Sequence, residues 1–185
     1  MDNFFHAVLR GPSRGFTLIE LIVSVALLGA LLALAPAAYG DWMASQQLAN
    51  HARLLTETLD LARSEAIKHG YRVNVCKSSN GRRCDDRAGW EAGWVMFVDE
   101  NRDGEIDDEQ QIIRREGAAP AQITLAANRP VADYVSYTSL GHARLLSGAL
   151  QMGTFVVCKP GQNAIKVVLA NSGRARMEKT RDRCA

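Results

Sequence analysis

The chain has 185 residues, 22 Lys or Arg against 20 Asp or Glu, a formal net charge of +2 and 47% hydrophobic content. That length suits one domain of ordinary size, and the apolar content excludes a disordered chain. Nineteen consecutive residues, 21–39, carry no charge, enough for a helix to cross a bilayer, which argues against a cytosolic enzyme.

The near-neutral total hides an asymmetry. Residues 1–15 set Asp2 against Arg10 and Arg14, residues 16–150 hold 13 basic and 17 acidic side chains, and residues 151–185 hold 7 basic and 2 acidic ones. A basic tail on an acidic body points to a polyanionic partner.

A cleaved secretory signal is the first alternative for the apolar run, since Ala33-Leu34-Ala35 supplies small residues at a cleavage position. Pro36 directly after it, the length of the run and Glu20 at its mouth argue against that reading. A lone acid at membrane depth is costly and has a dedicated partner. Arg14-Gly15-Phe16-Thr17-Leu18-Ile19-Glu20-Leu21 resembles the processing site of type IV prepilins and type II secretion pseudopilins. The resemblance implies a leader at 1–15 cut after Gly15 by a prepilin peptidase, and an N-methylated Phe16 as the mature N-terminus. It also implies an inner-membrane precursor with a periplasmic domain, anchored by a transmembrane helix over 16–40 that becomes a filament core among other major and minor pilins. Glu20 then pairs with the α-amino group of a neighbouring Phe16, the cation a buried carboxylate requires. Pro36 is expected to bend or locally unwind the helix around residues 32–36.

Over 41–69 the pattern becomes amphipathic. Leu48, Ala52, Leu55, Leu59, Ala62 and Ala66 recur at steps of four and three and form one helical face. Arg53, Glu57, Asp60, Arg63 and Lys68 fall largely off it, and Gly70 is a stop. One helix is therefore expected from about 16 to 69.

From 70 to 185 short β-prone runs separated by polar turns take over. Strands are expected at 71–76, 93–98, 111–114, 123–126, 134–138, 154–158, 165–170 and 174–178. His6, His51, His69 and His142 are scattered, with no second ligand at metal spacing, and no nucleotide-binding glycine loop or catalytic triad spacing occurs. Neither an enzyme nor a cofactor is expected.

Leu61-Ala62-Arg63-Ser64-Glu65-Ala66-Ile67, Cys76 after the first strand, Gly93-Trp94-Val95-Met96-Phe97-Val98-Asp99 and Gly173-Arg174-Ala175-Arg176 resemble the GspH/FimT family of minor pilins. This implies an α+β pilin fold, with the long N-terminal helix packed on a C-terminal antiparallel two-sheet β domain.

Four cysteines allow three pairings. Cys76–Cys84 and Cys158–Cys184 are favoured because both are local in sequence. Zinc is the alternative, but no Cys-x-x-Cys occurs. Asp99, Asn101 and Asp103 followed by Gly104 copy the opening of an EF-hand calcium loop. Gln110 at the twelfth position and an incoming strand depart from that motif, so an acidic β-turn is the competing reading.

Arg174 and Arg176, two apart, project from one face of an extended strand, and Gly173 leaves room for a phosphate to approach the main chain. Lys166, Lys179, Arg181 and Arg183 extend the charge, and arginine's planar fork suits phosphate oxygens. The Gly-Arg-x-Arg segment resembles that of the DNA-binding FimT proteins, which implies non-specific binding of double-stranded DNA in natural transformation. A structural minor pilin that primes pilus assembly, or a type II secretion pseudopilin, shares the leader and fold and gives the tail no ligand.

Overall fold

The computed structural model describes residues 15–184, apart from the side chains of residues 31 and 33–38; residues 1–14, with Asp2, Arg10 and Arg14 of the expected leader, and Ala185 lie outside it. The chain divides into two compact units, Met1–Gly40 and Asp41–Ala185.

The helix α1, Leu18–His69, starts in the first unit. Thr17 and Glu20 form its N-terminal cap: the Glu20 amide donates to Thr17 Oγ1 at 3.3 Å, and Thr17 N–H and Oγ1–H both donate to Glu20 Oε2 at 3.4 Å. This reciprocal arrangement satisfies donors that a helix start leaves unpaired. Residues 32–36 are helical, so of the bend or local unwinding expected at Pro36 the unwinding does not occur. Phe16, Leu18, Ile19, Leu21 and Ile22 are exposed in the isolated chain. Among the described residues no helix is long and apolar enough to cross a membrane.

In the second unit, Leu48, Ala52, Leu55, Leu59, Ala62 and Ala66 are all buried, as their spacing on α1 predicts. They join one core with residues from seven of the eight strands of two antiparallel sheets, all but the strand at 112–116. The first sheet comprises β1 (Arg72–Lys77), β2 (Trp94–Asp99), β3 (Ile112–Glu116) and β5 (Tyr134–Tyr137), in the order β3-β2-β1-β5. The second comprises β4 (Thr124–Ala127), β6 (Gly153–Cys158), β7 (Asn163–Leu169) and β8 (Ala175–Arg183), in the order β4-β6-β7-β8. The helix ends at His69, where Gly70 N–H donates to the Ala66 carbonyl.

β2 is apolar from Trp94 to Val98 because both of its faces are covered. Trp94 and Met96 enter the main core, whereas Val95 and Phe97 join Cys76 in a second cluster capped by Ile106, Ile112 and Tyr134. Trp94 ties the helix to this sheet, with its indole N–H donating to Thr58 Oγ1 at 3.3 Å and its ring 5.4 Å from that of His51. Every residue of both clusters lies in Asp41–Ala185, so this unit carries a complete core and folds as a domain in its own right.

All eight expected strands are present within a few residues. The largest difference is at the end: the strand expected at 174–178 is β8, Ala175–Arg183, so the basic tail belongs to the sheet. Alternation alone did not reveal this, because β8 loses register with β7 between Asn163 and Ile165, and such a bulge scrambles the two-residue period. Three short 3-10 turns, Trp90–Ala92, Glu109–Gln111 and Arg129–Val131, lie in stretches whose composition reads only as polar turn.

Disulfides join Cys76 to Cys84 and Cys158 to Cys184, eight and 26 residues apart. Replacing both members of the second pair with serine should lower unfolding stability by about 3.5 kcal/mol, and of the first by about 2.5 kcal/mol, since the longer loop frees more chain entropy. Urea denaturation of the Asp41–Ala185 unit checks the order of the two losses.

Candidate functional site

β8 is an edge strand of the second sheet, and its ends are fixed by different means. Just before its start Gly173 is buried with φ of 81°. A Cβ at Gly173 would lie 2.1 Å from the Gly141 carbonyl oxygen and 3.1 Å from Tyr137 Cε1. That carbonyl also accepts from Arg63 Nε at 2.9 Å. Gly173 is therefore needed for its left-handed backbone and for close packing. This corrects the expected reason for the glycine: its missing side chain admits Gly141, not a phosphate. At the far end Cys184 is bonded to Cys158, and its N–H donates to the Gln162 carbonyl.

Between these anchors the expected cations separate into groups. Ala175 and Met177 pack against the core, so Arg176 and Glu178 occupy the opposite, exposed face. Lys166 and Val168 of β7 stand opposite Glu178 and Arg176 in the register. Arg176 Nε is paired with Glu178 Oε1 at 2.8 Å, and Lys166 Nζ with Asp182 Oδ2 at 3.1 Å. Arg174 is exposed and interacts with Asp60 of α1. Burial raises the Asp60 carboxyl above its ordinary range, while the Ala175 amide, Arg63 and Arg174 pull it back. Lys179 faces elsewhere. It lines a groove of about 380 Å³ with Ser45, Gln46 and Arg53 of α1 and with Asn163 and Thr180. Arg181 and Arg183 are exposed, and among the described residues they and Lys179 make no salt bridge.

The sequence reading missed Asp60, Arg63, Tyr137 and Gly141, which brace the start of β8. Tyr137 is buried with its hydroxyl unpaired, and burial followed by the Asp60 charge pushes its phenol up, keeping it neutral. Arg63 and Gly141 are 78 positions apart, so no local pattern could have joined them.

Gly15 and Phe16 are exposed, and Glu20 is occupied with the Thr17 cap. Asp99 ends β2, and Asn101 and Asp103 occupy the loop that follows it. Among the described residues no group of three or more His, Cys, Asp or Glu side chains is arranged to hold a metal ion.

A long N-terminal helix whose later half packs on two antiparallel sheets, preceded by a processing-type segment, defines the pilin class. A family described as the prokaryotic N-terminal methylation motif matches residues 10–36. A second, described as type II transport protein GspH, matches residues 51–173, and the chain belongs to this GspH family of minor type IV pilins and pseudopilins. The structure is similar to that of the type IV minor pilin FimU of Pseudomonas aeruginosa, with a TM-score of 0.57 at 19% identity, covering 75% of this chain and 96% of the other. A second crystal form of FimU gives a TM-score of 0.52 at 18% identity, covering 71% and 95%. The minor pseudopilin EpsH of the Vibrio cholerae type 2 secretion system gives 0.48 at 16% identity, covering 72% and 97%.

Gly173→Ala should destabilise the domain by about 2–5 kcal/mol through left-handed strain and overlap with Gly141. Gly148→Ala, a positive-φ glycine with open space around it, should cost only the strain of about 1–2 kcal/mol. Thermal unfolding of the two variants separates backbone strain from close packing.

Proposed function

We propose that this chain is a minor type IV pilin that binds double-stranded DNA through β8 and its flanks during natural transformation. The precursor sits in the inner membrane with its β domain in the periplasm, is cut after Gly15 by a prepilin peptidase and is methylated at Phe16. Other pilins then surround it in the pilus at the cell surface. There the exposed apolar side chains of residues 16–30 pack, and Glu20 exchanges its cap for the α-amino group of a neighbouring Phe16.

The observation that supports DNA binding is the edge strand itself. Arg174, Arg176, Arg181 and Arg183 are all exposed within ten residues, against Glu178 and Asp182, on a strand fixed at both ends. Such a strip meets backbone phosphates without reading bases, with an expected dissociation constant on the order of 10⁻⁴–10⁻⁶ M. Lys166 and Lys179 contribute less, because one is paired with Asp182 and the other lines the groove beside α1.

The Arg176–Glu178 and Lys166–Asp182 pairs favour a second reading, in which β8 is a charge-balanced solvated edge. Charged edge strands resist sheet-to-sheet aggregation without any ligand. The protein is then a structural minor pilin that primes pilus assembly, or a pseudopilin.

Gel shift of a duplex by the Asp41–Ala185 domain at low salt distinguishes the readings. Arg174→Gln with Arg176→Gln should weaken binding by about tenfold or more, and Glu178→Gln, which releases Arg176, should strengthen it about two- to fivefold. If all three proteins bind alike, or none binds, the DNA reading fails and the solvated edge stands. In cells, loss of transformation with intact pili supports DNA uptake, loss of pili supports the priming role, and loss of exoprotein secretion supports a pseudopilin.

A further inference from the structure

We propose that the end of β2 and the segment that follows it, residues 99–110, form a low-affinity calcium site built from Asp99, Asn101, Asp103 and main-chain oxygens. The sequence similarity to an EF-hand loop extends beyond its opening: Ile106 and Asp107 follow Gly104 at the eighth and ninth positions. Arg102 and Gly104 have φ of 66° and 81°, so the chain curls twice through the left-handed region. Main-chain donors orient all three oxygen-bearing side chains. Gly104 N–H donates to Asp99 Oδ2 at 3.2 Å, Asp103 N–H to Asn101 Oδ1 at 3.3 Å, and Glu105 N–H to Asp103 Oδ1 at 2.8 Å. Asn101 Nδ2 donates to both Asp103 Oδ2 and Asp107 Oδ2, at 2.7 and 3.1 Å, which draws two carboxylates together.

A turn of acidic residues can do all this without a ligand. The independent observation lies beneath the loop. Asp99 is 1% exposed, and its Oδ1 has no partner. Asn74 of β1 is also 1% exposed; its Nδ2 donates to Asp99 Oδ2 at 2.7 Å, and its own Oδ1 has no partner. Two buried acceptor oxygens, one of them a carboxyl oxygen, thus belong to two hydrogen-bonded side chains with no donor for either. Leaving such groups unpaired is expensive, and a cation satisfies acceptors where another acceptor cannot. Arg72, opposite Asp99 in the register, offers its charge, but its hydrogen bonds go to Ser136 Oγ and the Arg144 and Leu145 carbonyls.

The donors are all oxygens, which selects a hard cation. Mixed carboxylate, amide and carbonyl oxygens on an irregular loop suit calcium better than magnesium, which demands a near-ideal octahedron. Only two carboxylates contribute directly, and Gln110 replaces the bidentate glutamate of the twelfth position. The affinity therefore falls with the extracellular class, on the order of 10⁻⁴–10⁻³ M. The loop's Ile106 packs on Cys76, Val95 and Phe97, so binding should stabilise the outer cover of the first sheet.

Thermal unfolding and isothermal titration of the chelator-treated Asp41–Ala185 domain test this. At 10 mM calcium the midpoint should rise by about 3–8 °C, with saturable heat, and 10 mM magnesium should do much less. Asp103→Asn keeps an oxygen to accept from Glu105 and should fold normally, yet lose most of the calcium shift. No shift and no heat in the parent, an equal response to magnesium, or a full calcium shift in Asp103→Asn each overturns the site.

Discussion

The buried stripe of α1 is the constraint on which the second unit depends. Leu48, Leu55 and Leu59 fill space between the helix and the strands, while Ala52, Ala62 and Ala66 keep the helix surface low. Without that stripe, the apolar faces of both sheets would meet water, and burying Leu- and Val-sized side chains contributes about 1.5–3 kcal/mol each. Polar groups on the same helix then fix its alignment: Thr58 accepts from Trp94, and Arg63 donates to Gly141.

The second of these contacts carries the packing to the candidate edge. Arg63 holds the Gly141 carbonyl, and that carbonyl leaves room at residue 173 only for glycine. β8 therefore begins at a fixed height on the sheet and ends at a disulfide. A basic segment free to move would lose conformational entropy on meeting a polyanion. A strand already fixed at both ends avoids much of that loss, whichever partner it serves. Its charges are partly balanced by Glu178, Asp182 and Asp60, which limits affinity for any single subunit.

The helix stripe and the strands were legible because each rests on local periodicity: steps of three and four for Leu48 to Ala66, and β-prone runs between turns for the sheets. The favoured cysteine pairs are also local and are the pairs present. The division of strands between two sheets was not legible, because it joins Tyr134–Tyr137 to Arg72–Lys77 across a long stretch of chain. The Thr17-x-x-Glu20 capping signal was present in the sequence but was masked by the question of what an acid does at the mouth of an apolar run. The candidate edge was legible as charge alone. Its sorting into the paired Arg176 and Lys166, the groove-facing Lys179 and the exposed Arg181 and Arg183 depends on the register with β7 and on the bulge near Asn163, and neither leaves a local signature.

The salt dependence of duplex binding by the Asp41–Ala185 domain tests most directly whether β8 meets phosphates. With three or four arginines engaged, log Kobs against log salt should be linear with a slope of about −2.7 to −3.6 and should not depend on duplex sequence. A slope near zero, or a steep slope that Arg174→Gln with Arg176→Gln leaves unchanged, would contradict the account.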